Sequence, residues 1–266
     1  MASDAIHVQR FEHNGGVLID EHSGDVSAPH MLFLHGWGGS RESLRGIATL
    51  FQHTHNVHLF DLPGFGAAPV PPEGWGTIEY ADLVQQYILD QLNAPVILVG
   101  HSFGGRVSVR LASRRLPLIR SLVLLGVPGL PQPGLSRTRV RRAGIRALRR
   151  LLRVAQPLIG LRGVQWHTER FGSKDYQAAG ALRPVLVKTV TEDLTESARS
   201  IACPTLLVWG TDDTETPPWL ATRYLELLDG KGTLVLLPHK DHHLYSGTGA
   251  HLVGQKMRTW FEGMGK

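Results

Sequence analysis

A serine flanked by glycines ends the apolar run in "VILVGHSFGG", where Gly100, Ser102 and Gly104 form a Gly-x-Ser-x-Gly pattern. The run "PVILVG" predicts a buried strand, and the following "FGGRVSVRLASRR" predicts a helix. A sharp strand-to-helix turn of this kind projects a serine hydroxyl from the carboxyl edge of a sheet. Ser102 is therefore predicted to be a nucleophile.

A serine nucleophile needs a base, and the base needs a carboxylate that orients it. Two adjacent acids, Asp212 and Asp213, follow the apolar run "PTLLVWG". Three candidate bases follow the last apolar run, "GTLVLLP": His239, His242 and His243. Because parallel strands end at the same edge of a sheet, both groups are expected to lie near Ser102. Position along the chain leaves the choice within each group open.

Acyl transfer also needs N–H donors placed for the negative oxygen of the tetrahedral intermediate. The glycine-rich turn in "FLHGWGGS" follows an earlier apolar run and predicts one donor, the backbone amide of Trp37. The amide of Phe103 is the second predicted donor, since it opens a helix whose dipole favours an anion. Trp37 and Phe103 together are the predicted oxyanion hole.

Six short runs rich in Val, Leu and Ile must position these residues: "HMLFLHG", "NVHLFDLPG", "APVILVGHS", "SLVLLGVPG", "PTLLVWGTDD" and "GTLVLLPHK". Amphipathic stretches between them predict helices over about 41–53, 77–92, 103–116, 217–229 and 247–262. The alternation predicts a mostly parallel sheet with helices on both faces. Before it, "AIHVQRFEHNGGVLIDEHSG" predicts two alternating strands joined by an Asn-Gly-Gly turn.

Residues 131–201 interrupt this alternation with helical patterns and no convincing strand, which predicts a helical cap. Residues 1–130 and 202–266 are then the two parts of one core domain. The net charge of +5 is unevenly spread: residues 128–200 carry 14 basic and 5 acidic side chains, or +9, and the rest of the chain carries −4. A positive charge confined to one insertion does not indicate a nucleic-acid-binding surface.

Eight arginines and no acid occur between Arg137 and Arg153, with apolar residues on a separate helical stripe. This pattern predicts an amphipathic cap helix with a charged outer face. The charged face fits a solvated surface, recognition of an anionic substrate or an acidic carrier protein, or association with a membrane surface. Nucleic-acid binding is not expected, because it would leave the catalytic pattern unexplained.

The segments "HGWGGS", "DLPGFG", "GHSFGG", "WGTDDTETP" and "KDHH" follow one another as in the α/β-hydrolase fold superfamily, and the chain resembles its capped serine hydrolases and esterases. The family usually reads Gly-x-x-Asp-x-x-x-Pro at the acid, which Asp213 matches and Asp212 does not. Where the family usually has Gly-His, this chain has Asp241 before His242. The resemblance makes His242 the first choice of base and His243 the alternative.

The resemblance implies hydrolysis of a small-molecule carboxylic ester through an acyl-enzyme intermediate. The same triad also serves thioesters, amides, lactones and carbon–carbon bonds, and the scaffold could instead be a non-catalytic binding module. "HGWGGS" and "DLPGFG" are also similar to pimeloyl-carrier-protein methyl esterases, although those often have Trp where this chain has His101. A carrier-linked substrate is therefore one interpretation.

The remaining features predict a cytoplasmic protein without cofactor or metal. A single cysteine, no signal-peptide pattern and no apolar run long enough to span a bilayer indicate a soluble intracellular chain. No nucleotide-binding glycine pattern follows the first strand. The histidines of "HTHNVH" (His53, His55 and His58) have no carboxylate or cysteine placed to complete a metal site, and are predicted to form a surface turn.

Overall fold

A computed structural model describes residues 6–131 and 174–264. Eight strands form one sheet: β1 His7–His13, β2 Gly16–Ser23, β3 His30–Leu34, β4 Asn56–Asp61, β5 Val96–His101, β6 Ile119–Leu125, β7 Thr205–Gly210 and β8 Gly232–Leu237. Their order is β1-β2-β4-β3-β5-β6-β7-β8. Strand β2 is antiparallel to β1 and β4, and every other pair is parallel. The predicted mostly parallel α/β sheet is confirmed.

The described helices are α1 Arg45–Ala48, α2 Thr77–Tyr87, α3 Ser102–Ala112, α4 Lys174–Ala178, α5 Arg183–Thr191, α6 Thr195–Ser200, α7 Trp219–Leu227 and α8 Thr248–Met264. A 3₁₀ turn, Arg41–Leu44, precedes α1, and a π-helical turn, Ile88–Leu92, extends α2. Ile47 of α1 and Val253 of α8 share a buried cluster with Phe33 of β3. Because side chains alternate along a strand, the opposite face receives α2, α3 and α7, so helices cover both faces as predicted.

The predicted hairpin at the start of the chain is also present. Asn14 and Gly15 both have positive φ, 50° and 76°, as a two-residue hairpin turn requires. Strand β1 then pairs with β2 along its whole length, from His13 opposite Gly16 to His7 opposite His22. The turn residues were sufficient to fix this register.

The histidine prediction was partly wrong. His53 is exposed, but His58 lies inside β4 with only 1% of its surface accessible. The pairing of β4 with β2 places Asp20 next to His58, and its carboxylate accepts a hydrogen bond from His58 Nδ1 at 3.1 Å. A carboxylate distant in sequence thus supplies the partner that the segment itself lacks.

The chain divides into two compact units, Met1–Leu130 with Pro184–Lys266, and Pro131–Arg183. Within the first unit, Lys188 of α5 pairs with Glu79 of α2 at 3.0 Å, and Glu192 accepts from the Thr77 amide at 3.1 Å. The second unit includes α4 and a 3₁₀ turn, Gly180–Leu182. The predicted arginine helix, Arg137–Arg153, lies outside the described residues. Among the described helices, none is both long and apolar enough to cross a bilayer.

Candidate active site

Ser102 stands where β5 ends and α3 begins, with a left-handed φ of 46°. A non-glycine residue in this region is strained, and the strain is maintained by the packing around it. Gly104 allows that packing: a Cβ there would lie 2.2 Å from the carbonyl oxygen of Leu34 in β3. The start of α3 can therefore sit against β3 only if residue 104 is glycine.

Asp213 and His242 meet at the same edge of the sheet, in the loops that follow β7 and β8. Nδ1 of His242 lies 2.9 Å from Oδ2 of Asp213, and both residues are buried. Because a carboxylate accepts hydrogen bonds, Nδ1 carries the proton in this pair and Nε2 is left with its lone pair. The arrangement provides an oriented base.

Three hydrogen-bond donors of its own loop orient the Asp213 carboxylate. Its Oδ1 accepts from the backbone amides of Glu215 and Thr216 at 2.9 and 2.7 Å, and Oδ2 accepts from the Thr216 hydroxyl at 2.5 Å. Burial alone would raise the pKa of Asp213, but the hydrogen bonds from His242 and Thr216 outweigh it and lower the pKa. The carboxylate is consequently ionised at neutral pH.

The competing candidates make other polar contacts. Asp212 is exposed and accepts a hydrogen bond from the Thr211 hydroxyl at 2.7 Å. His239 is almost fully exposed. His243 is half exposed, and its Nδ1 lies 3.0 Å from the Tyr245 hydroxyl. Of these three side chains, none joins the Asp213–His242 pair.

The Ser102 hydroxyl makes no hydrogen bond with the residues that the structure describes. Its neighbour His101 connects the turn that holds Ser102 to His242. Nε2 of His101 donates to the backbone carbonyl of His242 at 3.1 Å, and the two rings lie 4.8 Å apart. Hydrogen bonds between nucleophile and base are often loose until substrate binds. No role was predicted for His101 from the sequence, although its position before the serine was the available signal.

The side chains of Trp37 and Phe103, the two residues of the predicted oxyanion hole, are in contact. The rings of Trp37 and Phe103 pack edge to face with centroids 5.5 Å apart. The amide of Gly104 donates to the His35 carbonyl at 2.9 Å, which ties the start of α3 to the turn containing Trp37. Within the described residues, the Trp37 amide has no hydrogen-bond acceptor of its own. Its N–H is thus available for a ligand.

Two further side chains position these loops. His35 is buried, with Nδ1 donating to the Gly36 carbonyl at 2.7 Å and Nε2 accepting from the Leu62 amide at 3.2 Å. Burial lowers the pKa of His35 to about 4, so it stays neutral. Asp61 accepts from the amides of Arg41 and Ala67 at 2.7 and 2.9 Å. The "DLPGFG" motif was the sequence signal for Asp61.

Comparison of the sequence with known protein families gives a match over most of the chain. Residues 31–250 match the Alpha/beta hydrolase family. The chain belongs to that family and is a hydrolase of the α/β superfamily.

The similar proteins include ones named as a probable lysophospholipase, a phospholipase A and an esterase. A segment of 117 residues is 31% identical to "Probable lysophospholipase BODYGUARD 3" of Arabidopsis thaliana, covering 42% of this chain and 24% of that protein. The chain thus spans about a quarter of that relative. Among solved structures, a membrane phospholipase A described as a bacterial virulence factor has a TM-score of 0.74 at 20% identity, covering 97% of this chain and 86% of the other. An esterase from Thermogutta terrifontis has a TM-score of 0.70 at 20% identity, covering 96% and 98%. At these identities the structures share the fold alone.

Proposed function

We propose that this protein is a serine esterase, with Ser102 as nucleophile, His242 as base and Asp213 as the orienting acid. The buried Asp213–His242 hydrogen bond of 2.9 Å carries the proposal, because it leaves Nε2 of the imidazole ready to accept a proton. The left-handed Ser102 at the neighbouring strand end supports it further. No cofactor or metal ion takes part in the proposed reaction.

The reaction has two halves. As Ser102 Oγ attacks the carbonyl carbon of the ester, His242 Nε2 takes its proton, and Asp213 stabilises the imidazolium that results. The alcohol leaves with that proton, and the acyl group stays on Oγ. A water molecule then attacks the acyl-enzyme with His242 again as base, which releases the acid and restores Ser102. Amides of Trp37 and Phe103 receive the negative oxygen in both halves, each worth about 3–4 kcal/mol.

An ester is favoured over the other bonds that this triad can cleave. The relative that is 31% identical over 117 residues is named as a probable lysophospholipase. A serine at position 102, rather than an aspartate, argues against dehalogenase or epoxide hydrolase chemistry. Thioesterase, amidase, lactonase and carbon–carbon hydrolase activities are the alternatives, since they use the same triad. Matched ester, thioester and amide substrates with one acyl group would rank them.

The central test compares Ser102→Ala and His242→Ala with His243→Ala as the matched control. We expect the first two to lose turnover of short p-nitrophenyl esters and His243→Ala to keep it. A fluorophosphonate probe should label the unaltered protein and fail on Ser102→Ala. Labelling that persists in Ser102→Ala would reject the nucleophile. A folded, unaltered protein that resists the probe and turns over no ester would be the non-catalytic binding module.

A charged partner is a finer proposal that rests on the sequence of Arg137–Arg153. An anionic or carrier-protein-linked ester would be attracted by this arginine block. Reversing Arg146, Arg149 and Arg150 to Glu should raise KM for carrier-linked substrates and leave KM for short uncharged esters unchanged. An unchanged KM for the carrier-linked substrate in the variant would discard the charged partner.

A further inference from the structure

Four imidazoles form a row across four adjacent strands, at a distance from the candidate active site. His7 of β1 lies opposite His22 of β2, and His22 lies opposite His58 of β4. Ring centroids are 5.4 Å apart for His7 and His22, 5.2 Å for His22 and His58, and 5.2 Å for His58 and His30 of β3. The row runs from the exposed edge of the sheet to its buried interior.

Asp20 lies beneath this row with a fully buried carboxylate. Its Oδ2 accepts from Nδ1 of His22 at 2.8 Å and from Nδ1 of His58 at 3.1 Å. Burial alone would raise the pKa of Asp20, but hydrogen bonds from these imidazoles and from Tyr87 lower it to about 2. One anionic oxygen and two imidazole nitrogens therefore converge on a single point.

We propose that Asp20, His22 and His58 form a binding site for one divalent transition-metal ion such as Zn²⁺. Their donor atoms all lie within 4.8 Å of one another. Ligand atoms about 2.0–2.1 Å from a tetrahedral zinc are about 3.3 Å apart. The distances from Asp20 Oδ2 to Nδ1 of His22 and of His58, 2.8 and 3.1 Å, are close to this value. Two nitrogens and one oxygen suit zinc or its neighbours, whereas calcium and magnesium prefer oxygen ligands alone.

The surrounding residues fit a metal centre. Tyr87 donates to Asp20 Oδ2 at 2.6 Å and Gln9 does so at 3.1 Å, so the carboxylate stays oriented when its imidazole partners turn to the ion. Nε2 of His58 lies 3.0 Å from Nδ1 of His30. With the ion on Nδ1 of His58, the proton moves to Nε2 and is donated to His30, as is usual for histidine ligands.

The proposed metal site is open to solvent on one side and lies apart from Ser102. His22 retains 18% of its side-chain surface, and the exposed His7 stacks on it, which leaves a path from solvent. His58 lies within β4, level with Leu32 of β3 and, across β3, with Leu98 of β5, whereas Ser102 follows the end of β5, so the two sites are separate. The ion would join β2 to β4, the one antiparallel contact between the hairpin and the parallel strands. We expect a stabilising role and no part in ester hydrolysis.

Zinc binding by the purified full-length protein, first stripped with a chelator, tests the proposal. Competition with a chromophoric chelator should give one tightly bound Zn²⁺ per chain. The matched variants are His22→Asn, which removes a ligand, and His53→Asn, which removes an exposed histidine. We expect His22→Asn to weaken zinc binding by at least about tenfold and His53→Asn to leave it unchanged. Equal affinity in both variants, or no binding by the unaltered protein, would overturn the site.

A second measurement does not depend on a variant that folds. Co²⁺ bound by two imidazoles and a carboxylate in a low-coordinate site gives intense visible d–d absorption, which one equivalent of Zn²⁺ should abolish. A spectrum like that of the hydrated ion would reject the site even if zinc adheres elsewhere. Ester turnover of the unaltered protein should be the same before and after chelation, which separates this site from the proposed triad.

Discussion

The two carboxylate oxygens of Asp213 have different tasks. Oδ1 accepts two backbone amides from its own loop, which fixes the direction of the carboxylate. Oδ2 is thereby presented to Nδ1 of His242 and to the Thr216 hydroxyl. An acid held in this way fixes the imidazole tautomer without needing to change its own protonation state.

We expect Asp213→Asn to reduce kcat by about 10⁴-fold. The amide can donate to His242 Nδ1, which would place the proton on Nε2 and disable the base. Asp212→Asn is the matched control, since Asp212 is the adjacent, exposed acid. Steady-state kinetics on a p-nitrophenyl ester measures both. Comparable losses in the two variants would show that the acid has been misassigned.

Thr216→Val should remove one hydrogen bond from Asp213 while preserving the shape of the side chain. Hydrogen bonds to charged groups contribute about 1.5–3 kcal/mol, so a fall in kcat/KM of roughly 10- to 100-fold is expected. Thr211→Val is the control, because that hydroxyl bonds the exposed Asp212. If both threonine variants retain full kcat/KM, the Thr216 hydroxyl has no positioning role.

The sequence narrowed the acid to two neighbouring residues and the base to three histidines, and spacing alone could not choose among them. Asp212 and Asp213 are neighbours, and only the conformation of their loop turns one inward and the other outward. The family resemblance favoured Asp213 and His242, and these two side chains meet in the structure. His101 was missed because its contact with His242 joins segments far apart in the chain. Thr216 was missed because the loop conformation that brings its hydroxyl to Asp213 was not predicted.

At the scale of elements, β3, β5 and α3 form one tightly packed unit around the serine. The amide of Gly104 bonds the His35 carbonyl, and no side-chain atom separates α3 from the end of β3. Phe103 is buried by the same contact, with its ring 5.0 Å from that of Tyr80 in α2. Displacing the start of α3 would therefore displace Ser102 and the Phe103 amide together.

Gly104→Ala should lower the free energy of unfolding by about 3 kcal/mol or more, since the added methyl group would overlap a backbone carbonyl that cannot turn aside. Gly263→Ala is the matched control, because nothing lies within 4 Å of a Cβ at that position of α8. Alanine there should leave stability unchanged or raise it by up to about 1 kcal/mol. Urea unfolding compares the two. A Gly104→Ala protein as stable as the control would contradict the close packing of α3 and β3.

Local patterns predicted the elements better than their pairing. The hairpin and the six apolar runs are present because turn residues and strand composition act over a few residues. The contact between β2 and β4 joins segments separated by β3 in the chain, and no local pattern indicates it. For that reason His58 was assigned to a surface turn, whereas it lies buried beside Asp20.

At the scale of the whole molecule, two buried histidines are kept neutral by their surroundings. Protonating His35 would place a proton where Nε2 accepts the Leu62 amide. Protonating His101 would place one on Nδ1, which is buried and has no partner among the described residues. Burial lowers the pKa of His35 to about 4 and that of His101 to about 3.

Both values are below the ordinary histidine pKa of about 6.5, so the unfolded chain takes up protons first as the pH falls. The contribution of these two histidines to the free energy of unfolding is then fully present above about pH 6.5. It is lost as the pH falls towards 4 and 3, with a slope of up to about 1.4 kcal/mol per pH unit for each histidine. His101→Gln, which keeps a donor for the His242 carbonyl, should flatten that slope by one such increment. His53→Gln should not. Urea unfolding between pH 7 and 4.5 measures the slopes, and parallel lines for all three proteins would refute the buried neutral His101.

The ring of Trp37 gives the protein an optical reporter. It is partly exposed, packs edge-on against Phe65 and Phe103, and belongs to the residue whose amide is proposed to receive the oxyanion. Among the other five tryptophans, Trp75 and Trp209 are buried, and Trp219 and Trp260 are partly exposed but lie outside the turn that holds Trp37. Emission from Trp37 should therefore change when an acyl group forms and again when it is hydrolysed. Stopped-flow fluorescence could then time the two half-reactions separately, on substrates that carry no dye.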